Sequence, residues 1–249
     1  MKLNSFQLKI FAMILMVLDH ISTYIPNLPF NLIISFNLVG RIVAPIFFFF
    51  IVEGFFHTRS KTKYAIRLFT WALIMFCGSK LVVMIFNRDT GLHNNIFLSL
   101  GMSILLMSII EWIKNNKKNI KFIFIGIIGA LAVITLSVFT EASIHGIIAT
   151  LIFYFLRGKK RKMTLTYISI SLLMNIISPF INFMNTPDFS FIRLLQDDLQ
   201  WAEILSIPFI MMYNGKRGLN TKFTKYLFYI FYPIHLWIIY ILGYFISIK

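Results

Sequence analysis

Apolar residues run through this chain in long, nearly unbroken stretches separated by short polar clusters, at approximately 8 to 25, 32 to 54, 66 to 86, 94 to 113, 122 to 139, 142 to 156, 163 to 183, 199 to 213 and 226 to 248. A helix needs about 20 residues to cross a hydrocarbon core roughly 30 Å thick. The pattern therefore predicts an all-α, polytopic membrane helix bundle of about nine transmembrane helices, within a range of eight to ten. Segments 142 to 156 and 199 to 213 are short for a full crossing, so they are expected to tilt little, thin the bilayer or insert only in part. No polar block is large enough to fold separately, and residues 1 to 249 are read as a single domain.

The polar clusters alternate in charge. Arg59, Lys61 and Lys63, then Lys114, Lys117, Lys118 and Lys121, then Arg157 to Lys162, then Lys216, Arg217, Lys222 and Lys225 fill every second connection. Basic residues are retained on the cytoplasmic side, which places the N-terminus and these loops inside and the C-terminus outside. The acids Asp89, Glu141, Asp188, Asp197, Asp198 and Glu203 then fall outside, and the connection 182 to 198 is long enough to cover an outward-facing cavity. A retained first span explains the N-terminus better than a cleaved signal, because Tyr24, Pro26 and Asn27 stand where small residues would be needed.

Composition agrees: 58% of residues are hydrophobic and 13% charged, against roughly half and one quarter in soluble domains. The net charge of +15 belongs to membrane topology, and no nucleic-acid partner is expected. The single cysteine, Cys77, offers neither a disulfide nor a metal motif and reads as a packing residue; no metal site is expected.

The chemistry lies in the exceptions to the apolar pattern. At 1.5 Å per residue, His20 sits roughly 18 Å from the inner end of its segment, Arg41 roughly 14 Å below the outer end of the second, and His235 roughly 14 Å above the inner end of the last. Ionisable side chains at such depth are costly and normally face a protein interior or a polar cavity where they work. Asp19 is the nearest counter-charge for Arg41, so an Asp19–Arg41 ion pair between the first two segments is expected, holding His20 beside it. The alternative is a purely structural staple. Asn94 and Asn95 open the fourth segment and Glu141 and His145 the sixth, where helix capping is the ordinary role. Glu53, His57 and Arg59 close the second segment near the cytoplasm, and Asn214, Lys216 and Arg217 sit in a Gly-flanked basic turn suited to an anion.

Four stretches resemble the TraX family, membrane proteins named for N-terminal acetylation of conjugative pilin: LDH at 18 to 20, RIVAPIFFFFIVEGFFHTR at 41 to 59 followed by Tyr64 and Arg67, YNGKRG at 213 to 218, and KYLFYIFYPIHLWIIYIL at 225 to 242. The middle, from about 77 to 200, aligns only through Asn95 with Gly101 and Glu141 with Gly146, and the segment Cys77 to Lys80 departs where the family carries an acid. The resemblance implies transfer of an acetyl or other acyl group from acetyl-CoA at the cytoplasmic side to an amine or hydroxyl of a peptide, glycan or lipid at the membrane or outer side. It assigns His20 as general base with Asp19 and Arg41 as its neighbours. Glu53, His57, Arg59, Asn214, Lys216 and Arg217 would face the donor, and His235, Asn95, Glu141 and His145 would line the acceptor chamber. The plasma or inner membrane is the expected location, with membrane lipid as a further partner. A proton-coupled transporter or peptide exporter using Asp19, His20 and Arg41 is the rival reading, and a non-enzymatic assembly or immunity factor a third.

Overall fold

In the computed structural model, residues 2–86, 88, 90–183, 190, 194–196, 198–219 and 221–248 are described. Each of the nine apolar segments is helical, and among the described residues there is no strand. The helices are α1 (Ser5–Tyr24), α2 (Phe30–Gly40), α3 (Val43–His57), α4 (Lys61–Phe86), α5 (Ile96–Asn115), α6 (Ile120–Ser137) and α7 (Ser143–Phe155). They continue with α8 (Lys160–Leu172), a π-helical turn (Leu173–Ile177), α9 (Ser178–Phe183), a 3₁₀ helix (Leu199–Leu205), α10 (Ser206–Met211) and α11 (Lys222–Ser247). Seven stretches are long and apolar enough to cross a membrane, taking Phe30–His57 and Lys160–Phe180 as one each, while Ser143–Phe155 and Leu199–Met211 are shorter. The protein is a polytopic membrane protein. Asp89, Asp188, Asp197 and most of the connection 182 to 198 lie outside the described residues.

Two compact units divide the chain, Met1–Phe47 with Leu156–Lys249, and Phe48–Phe155. In the second unit α5 packs against α4, α6 and α7 around Met102, Leu106, Val133 and Ile147. Gly101 admits the Phe69 ring, since a Cβ there would lie 3.0 Å from Phe69 Cε1. The outer faces of α4 and α6 carry exposed Leu73, Phe76, Leu81, Met84, Phe124, Ile128 and Leu131, the surface a lipid solvent requires. Cys77 lies on that exposed face of α4, correcting its reading as a packing residue.

In the first unit α1 packs on α2 and on α11. Asn4 caps α1 in a reciprocal box, Gln7 N donating to Asn4 Oδ1 at 2.9 Å and Asn4 N to Gln7 Oε1 at 3.0 Å, which satisfies two otherwise orphaned groups. Leu3 pairs with the segment 212 to 214, its N–H donating to the Met212 carbonyl and its carbonyl accepting from Asn214 N, both at 2.9 Å. Phe6 meets Phe228, His20 meets His235 and Tyr24 meets Tyr240. The contacts ascend together, so α1 and α11 run in the same direction, as an odd number of crossings demands.

Three departures from α geometry gather in this unit. The second apolar segment, expected to be continuous, breaks at Arg41–Ile42 between α2 and α3. The π turn and the 3₁₀ helix touch each other, and the 3₁₀ helix also touches α2 and α8. Irregular backbone at membrane depth survives only where protein or a polar cavity satisfies it, and single π turns are frequent at functional sites.

Candidate functional site

His20, 3% exposed on α1, and His235, 7% exposed on α11, meet with Nδ1 of His20 2.8 Å from Nε2 of His235. Their rings lie end to end, with centroids 5.0 Å apart and planes 28° apart, so the common depth read from the sequence is a direct contact. Proton positions follow from the partners. His235 Nδ1 lies 2.7 Å from the Phe231 carbonyl, and a carbonyl only accepts, so His235 carries its proton on Nδ1. Its Nε2 is then an acceptor in the neutral ring and must receive the proton of His20 Nδ1. That leaves Nε2 of neutral His20 with a free lone pair, the form a general base needs. Phe231 stacks on His235 at 4.5 Å and 12°, and Tyr232 lies edge-on to both histidine rings, fixing the orientation of the pair. Among the described residues no group of three His, Cys, Asp or Glu is placed to hold a metal.

The expected ion pair between Asp19 and Arg41 is not formed. The half-buried Asp19 side chain lies flat on Gly40, where an added Cβ would be 2.6 Å from Asp19 Cβ and closer still to its carboxylate. Ser22 ties the same corner, its Oγ donating to the Asp19 carbonyl at 2.6 Å and lying 2.8 Å from Asn37 Oδ1. Arg41 follows Gly40 at the helix break and turns elsewhere, donating from Nη1 to Gln200 Oε1 at 3.1 Å. The glycine brings α1 and α2 together at Asp19, and Arg41, next in the chain, stays close enough to act on that carboxylate electrostatically while taking Gln200 as its hydrogen-bond partner.

Gln200 leads to a polar cluster that sequence reasoning missed. Gln200 Nε2 donates to Glu203 Oε2 at 3.1 Å, while Ser171 Oγ and Asn175 Nδ2 donate to Glu203 Oε1 at 2.7 and 3.2 Å. Glu203 is 6% exposed, so this acid is enclosed by protein. The available signal was Glu203 within the apolar run 199 to 213 and Asn175 within 163 to 183.

The donor-side residues fall in both units. Glu53 and His57 face each other one turn apart on α3, carboxylate to Nε2 3.6 Å, with Arg59 exposed beyond the helix end. Beside Glu53, Gly54 admits the Tyr64 hydroxyl, 2.9 Å from a built Cβ, and Arg67 lies over the Tyr64 ring at 5.3 Å. In the other unit Asn214 Oδ1 accepts from Lys216 N at 2.8 Å, and Gly215 and Gly218 adopt φ of 79° and 76°, a region that disfavours side chains. The carbonyls of Lys216 and Arg217 accept from Ser5 N and Phe6 N at 2.9 and 3.2 Å. The first amides of α1 are thereby occupied, and the side chains of Lys216 and Arg217 are exposed on the turn.

Of the four chamber residues, His235 joins His20, whereas Asn95, Glu141 and His145 lie in the second unit. Asn95 makes no side-chain cap for α5, correcting the capping expectation; its amide donates instead to the Ala72 carbonyl of α4 at 2.9 Å, and its Oδ1 is buried without a hydrogen bond. Glu141 lies 3.4 Å from Asn94 Nδ2, and Ser99 Oγ accepts from Ala142 N at 3.1 Å, tying the start of α7 to α5. His145 is half-buried in the first turn of α7.

No solved structure matches this chain. Among curated proteins it is similar to the "Probable fimbrial assembly protein FimC, serogroup H1" of Dichelobacter nodosus, with 27% identity over 244 residues, covering 94% of this chain and 93% of that protein. The family model described as TraX protein matches residues 5–243, a stretch that takes in the histidine pair, the helix break at Arg41, the buried Glu203 and the basic turn, and the chain belongs to the TraX family.

Proposed function

We propose that this protein is an acyltransferase of the plasma or inner membrane, moving an acetyl group from acetyl-CoA to an amine or hydroxyl acceptor, with His20 as general base. The observation that carries the reading is the His20–His235 pair, whose hydrogen bonds leave His20 Nε2 unprotonated inside a membrane bundle. An amine nitrogen attacks the thioester carbonyl carbon, a C–N bond forms, and the nitrogen's proton passes to His20 Nε2. The C–S bond then breaks, the carbonyl reforms, and the proton moves from His20 to the departing sulfur, so that amide and free CoA thiol are the products. A positioned base of this kind contributes roughly 10²- to 10⁴-fold.

The exposed Lys216 and Arg217 suit the phosphates of CoA, and Glu53, His57 and Arg59 remain donor-side residues in this proposal. Asn95, Glu141 and His145 remain acceptor-side residues, and Asp19 stands as the charged neighbour of His20. Fimbrial assembly, named for the Dichelobacter relative, favours a peptide N-terminus as acceptor over a glycan or lipid. The test is purified protein in lipid nanodiscs with radiolabelled acetyl-CoA and a pilin-like peptide. Label should move to the peptide amine in the wild type and not in His20→Ala; equal transfer by the variant overturns the assignment. Proton-coupled peptide flux in liposomes without any acyl donor would instead support the exporter reading.

A further inference from the structure

Arg41 is exposed yet anchored, and the manner of its anchoring separates it from an ordinary ion pair. A guanidinium only donates, so the Gln200 atom facing Arg41 Nη1 is its carbonyl oxygen, at 3.1 Å. The amide nitrogen must then face Glu203, where it lies 3.1 Å from Oε2. Glu203 is fixed in turn by Ser171 and Asn175 at 2.7 and 3.2 Å, one from α8 and the other from the π turn. Gln200 itself is set by Asp198, whose Oδ1 accepts from Gln200 N at 2.9 Å as the cap of the 3₁₀ helix. The two side-chain contacts of Gln200 thus run donor to acceptor in one direction, from the Arg41 cation to the buried Glu203 carboxylate.

The neutral amide has a physical consequence. Direct contact with a carboxylate would neutralise the guanidinium locally, whereas an interposed amide about doubles the charge separation, and Coulomb attraction falls inversely with distance. The side chain is held while its field stays available. Arg41 also follows Gly40, the residue against which Asp19 packs, and Asp19 adjoins His20 in α1. Resting on the acyltransferase reading above, we propose that Gln200 and Glu203 are positioning residues that hold Arg41, with no carboxylate in direct contact, as an anion site for the oxyanion formed when the acceptor attacks the thioester carbonyl. The carbonyl oxygen gains the negative charge as the C–N bond forms and loses it when the C–S bond breaks. A preorganised cation acts on that intermediate and not on the ground state.

The roles are separated by swapping the two side chains. Glu203→Gln alone presents an amide nitrogen to Gln200 and turns its carbonyl away from Arg41; kcat should fall roughly 100-fold, the scale of a misplaced catalytic group, with KM for acetyl-CoA unchanged. The double variant Gln200→Glu with Glu203→Gln restores donor and acceptor at each contact, so thermal melting should recover. It also seats a carboxylate directly on Arg41, so kcat should stay low. Recovery of kcat together with melting would overturn the proposal by showing a merely structural network. Gln200→Leu cuts the link without adding charge, and turnover within about twofold of wild type in that variant would overturn it as well. Absence of thioester turnover in the wild type would overturn the acyltransferase reading itself, whereas wild-type turnover with full activity in the double variant rejects only the role of Gln200 and Glu203.

Discussion

Replacing His235 with phenylalanine tests the proton arrangement of the buried pair. Phenylalanine keeps a ring that can stack on Phe231 at 4.5 Å and, being larger than histidine, leaves no cavity, while its outer edge presses His20. It removes the nitrogen that accepts from His20 Nδ1 at 2.8 Å, leaving that donor buried without a partner, at a cost of about 1–3 kcal/mol. His20 can then relieve the cost by moving its proton to Nε2, where the base is lost. If the tautomer preference equals the hydrogen-bond energy, the competent fraction falls by roughly 5- to 150-fold. The assay is single-turnover acetyl transfer in nanodiscs, with KM for acetyl-CoA measured alongside. His235→Gln, whose amide oxygen offers an acceptor on a side chain of similar length, should recover part of the loss. Wild-type kcat in His235→Phe would refute the reasoning, because His20 would then need no partner to keep Nε2 free.

Two further outcomes follow from the geometry. Gly40→Ala places a methyl group against the Asp19 side chain, 2.6 Å from its Cβ, so α1 and α2 must part. Overpacking of this kind costs about 1–3 kcal/mol, and tryptophan-fluorescence melting should show a lower midpoint, with an unchanged midpoint counting against the close approach. Lys216→Glu combined with Arg217→Glu should raise KM for acetyl-CoA at least tenfold, since each charge-assisted hydrogen bond contributes about 1.5–3 kcal/mol, while leaving kcat near wild type; an unchanged KM would remove the turn from the donor site.

The helical architecture was legible because hydrocarbon permits few alternatives: apolar length and alternating basic loops specify crossings directly. The encounter of His20 with His235 was legible for a related reason, since residue rise converts sequence position into depth and two costly groups at one depth tend to meet. Depth does not give azimuth. Asp19 and Arg41 shared a layer, but the interruption after Gly40 turned Arg41 toward Gln200, and the marks of that interruption in the run 32 to 54, Gly40 and Pro45 in the first turn of α3, do not fix where Arg41 points. The partners of Glu203 were not legible because the run 199 to 213 gives no sign that it forms a 3₁₀ helix leading into α10, which turns the carboxylate to Ser171 and Asn175. Asn95 was read as a cap from its place before a helix, a local rule overridden by a nearer carbonyl on α4.

The two histidines are separated by 215 positions, and that distance has a temporal meaning. Domains assemble as the chain is made, at about 5–20 residues per second, so α1 enters the membrane well before α11 exists. Throughout that interval His20 has no ring to receive its Nδ1 proton and Leu3 has no segment 212 to 214 to pair with. Nascent chains that stop short of α11 lack His235, so in them the His20 ring has no imidazole partner. The contact between the two rings is therefore among the last that the growing chain can make.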